Sequence, residues 1–258
     1  MRLLALLGTL SLGGADAPPP FAFADFRILP LRVHRLQSPT EPSLRTTLSP
    51  ADIERILSKV NRVWAQAGLH FTLESLVTEA ALMPELAAVN RDARQLDWLL
   101  KCFPAKSRRA DCLHVYYIKQ FAVNGVFLRQ QSMVVKDTAR LRAVEGGLDE
   151  PLPRVTSHEL GHALGLPHRQ AVTNLMASGT TGWSLEAKEI ETARATAAQW
   201  PWAQPASTLM KEADALFGAG KRAEADALYR QLRHLPLDCP EVRRARDRSG
   251  NGTAPTPP

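Results

Sequence analysis

The chain has 258 residues, of which 45% are hydrophobic and 22% charged, with a formal net charge of +6. That length can bury a substantial core, with room for one main domain and a small addition. The excess charge is scattered or gathered in Arg243, Arg244, Arg246 and Arg248, with no aromatic-basic platform, which argues against nucleic acid as a partner.

Residues 1–24 read as an export signal. Met1-Arg2 is a minimal basic start, and the apolar run over 3–12 is too short to span a bilayer. Small-x-small sites end at Ala17 and Ala24. Pro18 would make the first a poor substrate, so cleavage is expected after Ala24, giving a secreted or periplasmic protein. No later apolar stretch reaches transmembrane length.

Residues 26–36 read as a first strand carrying a defect at Pro30. Ser49, Pro50 and Asp52 form a capping-box start, and Ile53, Ile56, Leu57, Val60, Val63 and Trp64 then mark one buried helical face, ended by Gly68. A second strand alternates over 70–76, and residues 84–100 read as an inserted helix. Residues 113–118 are strongly β-prone, and two short strands follow over 125–129 and 133–136. In an exported chain, Cys102 and Cys112 flank a polar loop whose ends can meet in a disulfide. Two buried free thiols are the alternative, and Cys239 is left unpaired. His34, His70, His114 and His234 read as packed or half-exposed side chains rather than ligands.

Asp149, Pro151 and Pro153 supply a cap and first-turn prolines for the next helix, which carries His158-Glu159-Leu160-Gly161-His162-Ala163-Leu164-Gly165-Leu166-Pro167-His168. On a helix, His158 and His162 lie one turn apart on one face, so both imidazoles can reach one ion. Glu159 is rotated by about 100° from His158 and stands beside that ion as a base. Gly165 can end the helix with positive φ and turn the chain so that His168 returns as a third ligand. Three neutral imidazoles around zinc leave a fourth position for water, the catalytic arrangement.

These residues spell H-E-x-x-H-x-x-G-x-x-H, and over about residues 25–202 the chain resembles the matrixin-like metzincin zinc metallopeptidases. The resemblance implies one catalytic Zn2+ on His158, His162 and His168, with Glu159 as general base. It also implies a methionine turn, Asn174-Leu175-Met176-Ala177-Ser178, whose Met176 forms an apolar floor under the histidines. Some members place a tyrosine ligand two residues after that methionine; here the position is Ser178, so the role is not carried over. No cysteine precedes Cys102, so the cysteine switch of matrix-type members is not expected. The implied fold is α/β (α+β): a twisted mixed sheet backing the metal helix, with an antiparallel edge strand lining the cleft. The implied activity is endopeptidase action on a protein or peptide substrate. The alternative is a zinc-retaining binding protein on the same scaffold.

Ser184 reads as the cap of a helix running to Gln199, and Pro201 and Pro205 mark a linker. Over 203–240, Leu209, Ala213, Leu216 and Phe217 form one helical stripe and Ala225, Leu228, Tyr229 and Leu232 another, turning at Gly220-Lys221-Arg222. This hairpin resembles a single tetratricopeptide repeat, and a plain helical hairpin fits equally. One repeat cannot bury its own face, so it is expected to cover the catalytic domain or meet a protein partner. Residues 241–258 read as a disordered tail.

Overall fold

The computed structural model describes residues 21–89, 97–128 and 131–250. Residues 1–20 of the expected export segment lie outside them, as do 251–258 and the middle of the inserted segment. Among the described residues no helix is long and apolar enough to cross a membrane.

The chain forms a mixed α/β fold. Strand β1 is Arg27–Gln37, and helix α1, Pro50–Trp64, follows it. Strand β2 is Leu69–Ala80; the short helices α2, Glu85–Val89, and α3, Asp97–Cys102, come next. Strands β3, Leu113–Ile118, β4, Gly125–Phe127, and β5, Ser132–Lys136, complete the main sheet, whose order is β2-β1-β3-β5-β4. The first four of these run parallel, and β4 lies antiparallel to β5 at the edge. Pro30 is tolerated in a central strand because pairing with β3 begins one residue later, at Leu31.

Helix α1 starts as the sequence dictates. Ser49 Oγ accepts from the Asp52 amide at 3.2 Å, and the Asp52 carboxylate accepts from the Ser49 amide at 2.9 Å. Its apolar face packs beside helix α4, Pro151–Ala163, on one face of the sheet. The start of α4 differs from expectation. Glu150, not Asp149, occupies the cap position and gives no side-chain bond. Asp149 is instead drawn outward to Lys59 of α1, at 2.8 Å, and Glu150 pairs with Lys59 and Arg55. These pairs tie the two helices at their ends. Helix α5, Ala187–Ala198, likewise starts two residues later than Ser184 suggests, capped by a Glu186–Glu189 box.

Every side chain of β3 is buried, because helices cover one face and the segment around α3 covers the other. On that second face His34 Nδ1 meets Glu79 at 2.7 Å, and His34 Nε2 meets His114 Nδ1 at 3.0 Å. Tyr116 stacks between His34 and Phe103.

The expected Cys102–Cys112 disulfide is absent; all three cysteines are free thiols. The sulfurs are committed elsewhere. Cys102 Sγ, at the end of α3, points at the Met83 carbonyl, 3.5 Å away, while Cys112 Sγ lies 3.7 Å from His114 Nε2. Burial pushes both thiols up to about 11. The loop between them is fixed by other means, with the Arg32 guanidinium donating to the Ser107 carbonyl at 2.8 Å. Alkylation of the denatured protein without reductant should therefore modify three thiols, read by intact mass.

The C-terminal region is more than a hairpin. Helices α6, Ala206–Gly218, and α7, Arg222–Leu232, are joined by a third, α8, Pro240–Arg248, in the stretch expected to be disordered. Val242 and Ala245 of α8 are fully buried against α7. The three helices share a core with Phe26 and Ile28, and the two-residue strand β6, Gln204–Pro205, pairs with the start of β1.

Burial pushes His70 down to about 3 and His114 to about 4. Both are neutral in the fold but protonate near 6.5 in the unfolded chain, so below that pH the unfolded state binds more protons. Their contribution to stability is complete above pH 6.5 and is lost as pH falls through about 4 and then 3. Urea unfolding at a series of pH values should show wild type losing about 1.4 kcal/mol per pH unit more than His70→Gln below pH 6.5.

Candidate metal centre

Helix α4 is buried along ten consecutive residues, Leu152 to Gly161, although Arg154, Thr156, Ser157, His158 and Glu159 are polar. Buried polar groups in such number need partners: Arg154 and His158 find theirs on carbonyls of the 174–182 loop, Thr156 on the Tyr117 hydroxyl of β3, and Glu159 on β4, while Ser157 Oγ has none among the described residues. Helix α4 ends in a Schellman turn. The Gly165 amide donates to the His162 carbonyl at 3.0 Å, the Leu166 amide to the Gly161 carbonyl at 2.9 Å, and Gly165 has φ +85. This reversal carries His168 back over the helix.

The structure brings His158, His162 and His168 together, with one ring nitrogen from each lying within 4.8 Å of the others. Their tautomers follow from what the other nitrogens touch. His158 Nδ1 faces the Leu175 carbonyl at 2.8 Å, and His162 Nδ1 faces the Leu166 carbonyl at 2.8 Å. Each of those nitrogens must carry the proton it donates, so each Nε2 presents a bare lone pair. The two Nε2 atoms stand 3.2 Å apart, and His162 Nε2 is 3.1 Å from His168 Nε2. Lone pairs at that distance repel unless a cation lies between them, and burial already holds His158 down to about 3 and lowers His162. The donor set fits a metal ion.

Glu159 projects to the sheet side. Its carboxyl accepts a bond from the Phe127 backbone amide of β4, and burial raises it to about 8, against the pull of Arg154. It comes so close to β4 that a β-carbon on Gly125 would lie 2.6 Å from Oε1. A cleft of about 810 Å³ runs past these groups, between Gly125–Phe127 on one wall and His168, Ser178 and Gly179 on the other.

Met176 lies against the underside of the helix. A β-carbon on Gly161 would fall 2.5 Å from its sulfur, so the glycine inside the motif exists to admit the methionine. The turn bearing Met176 is fastened twice. Asn174 Oδ1 accepts from the Met176 amide at 2.6 Å, and Asn174 Nδ2 donates to buried Glu189 of α5 at 2.7 Å. Glu189 also takes Arg169 Nε at 2.8 Å, and the Arg169 amide donates to the Met176 carbonyl at 3.0 Å. The loop with the third histidine and the methionine turn are thereby one unit.

Arg154, Gly161 and Glu189 have roles that the sequence reading missed. Arg154 was findable as an arginine at helical spacing of four before His158; nothing comparable flags Glu189. His34, His70, His114 and His234 do not join the cluster.

No family model matches the chain, and no curated protein does. Among solved structures it is similar to one described as a chaperone-substrate complex, at 11% identity and a TM-score of 0.36, over 66% of this chain and 34% of the other. The chain thus spans about a third of that solved chain's length, and so distant a likeness fixes neither fold family nor function.

Gly161→Ala should force Met176 aside and cost about 1–3 kcal/mol of stability. Urea unfolding of the single variant and of the Gly161→Ala, Met176→Ala double variant checks this, with the double recovering part of the loss.

Proposed function

We propose that the protein is an exported zinc-dependent endopeptidase of the metzincin type, using Glu159 as general base. The observation that carries the reading is the convergence of three imidazole nitrogens beside a buried carboxyl at a sheet edge. Two Zn–N bonds of 2.0–2.1 Å at a tetrahedral angle separate nitrogens by roughly 3.3 Å, close to the spacing found here. Zinc in that position polarises a peptide carbonyl and brings the pKa of a water in its fourth position to about 7.

His158, His162 and His168 would hold the ion, and the Nδ1–carbonyl bonds of His158 and His162 keep those two rings in the ligating tautomer. Glu159 accepts the proton of the attacking water and delivers it to the leaving nitrogen. The Phe127 amide orients that carboxyl. Among the described residues strand β4 pairs with β5 alone and lines the cleft, so an extended substrate can add along its other side through main-chain bonds beside the Phe127 amide that Glu159 takes, which suits a protease reading many sequences. The alternative of a binding protein acting through the C-terminal helices is less well supported. Their apolar faces are spent on Phe26, Ile28 and one another, and a pure binder has no use for Glu159.

Glu159→Gln should keep zinc and lose at least about a hundredfold of peptidase activity, since glutamine can still bond the water but cannot take its proton. Zinc content by atomic absorption, beside cleavage of casein or a quenched peptide, is the measurement. Wild-type protein that binds zinc and cleaves nothing would remove the peptidase reading.

A further inference from the structure

Arg154 is a charged side chain of the cleft wall that the reading above does not use. It is 2% exposed. Its guanidinium carries five N–H donors, and three are accounted for. Nε donates to the Gly182 carbonyl at 2.9 Å, and Nη2 donates to the carbonyls of Asn174, at 3.3 Å, and Ala177. The two protons on Nη1 have no such acceptor. Nη1 lies 3.1 Å from His158 Nδ1, and that nitrogen already carries the proton given to Leu175 at 2.8 Å. Two donors therefore face each other.

Nor is the charge compensated. Among the described residues Arg154 has only carbonyls and this imidazole as partners, with no carboxylate in ion-pair contact. Glu159 is turned away towards the Phe127 amide. A buried guanidinium with two idle donors is the environment that a carboxylate entering the cleft would complete, by charge-assisted bonds.

Resting on the peptidase reading, we infer that Arg154 determines specificity: the substrate presents an aspartate or glutamate side chain beside the bond to be cut, and its carboxylate takes the Nη1 donors. Arg154 thus has two duties, fastening the 174–182 loop through carbonyls and reading an acidic side chain through the remaining arm.

The test separates binding from cleavage. In zinc-loaded Glu159→Gln protein, fluorescence anisotropy is measured with neutral peptides along which a single glutamate is walked, each beside its glutamine counterpart. At one position glutamate should bind at least tenfold tighter than glutamine. Adding Arg154→Met should abolish that ratio. Should that variant fail to fold, Arg154→Lys, which keeps the charge and loses the planar fork, should lower the ratio several-fold. Equal binding of glutamate and glutamine peptides at every position, or no binding of either, overturns the inference, as does a ratio unchanged in the Arg154 variants. The peptidase reading stands or falls separately: wild type that selects glutamate peptides yet cleaves none loses the activity but keeps the carboxylate site. Wild type that cleaves neutral and acidic peptides equally well keeps the activity and loses the site.

Discussion

Two imidazole lone pairs held 3.2 Å apart repel each other, and much of the molecule exists to keep them there. The restraint is applied from behind, where the carbonyls of Leu175 and Leu166 take the opposite ring protons. Those carbonyls are themselves fixed, one by the methionine turn and the other by the Schellman reversal at Gly165. The turn in its turn hangs on Asn174, Glu189 and Arg154. Rings fixed in this way lose little freedom when an ion arrives, which favours tight binding.

The same burial that aims the rings acts on Glu159. A carboxyl in these surroundings prefers its proton, and a cation in the histidine cluster would return it to the carboxylate. Gly125 matters because any side chain there would push Glu159 off the strand edge. Sheet edge, buried carboxyl and histidine cluster are therefore set by one another: β4 places Glu159, and α4 holds Glu159 and two of the histidines in a single rigid frame.

Much of this was legible in the sequence. Helix α1 follows from Ser49, Pro50, Asp52 and a stripe at spacings of three and four; the strand over 70–76 follows from alternation and that over 113–118 from its β-prone residues; the His158 to His168 pattern gives its own geometry once helix and turn are assumed. What was illegible is what depends on distant partners. Asp149 looks like a cap until Lys59 of another helix competes for it. Cys102 and Cys112 look like a bridge until their sulfurs are seen facing Met83 and His114. Glu189 sits in an ordinary amphipathic stretch, and only the folded chain brings Arg169 and Asn174 to it. The basic run at Arg243 to Arg248 masked helix α8, since just Val242 and Ala245 turn inward and a short stripe of two is no periodic signal.

The sharing of Phe26 and Ile28 between the first strand and the last three helices has a consequence for how the chain folds. The opening residues of β1 cannot be sealed until helices about 180–220 positions later have been made, a closure of high contact order. During synthesis this inner strand of the sheet keeps an open apolar end while helix α4 is already available. Assembly of the half that carries the histidine cluster and closure of the molecule are in this way separate events in time, with the C-terminal helices acting as the latch that completes the first strand.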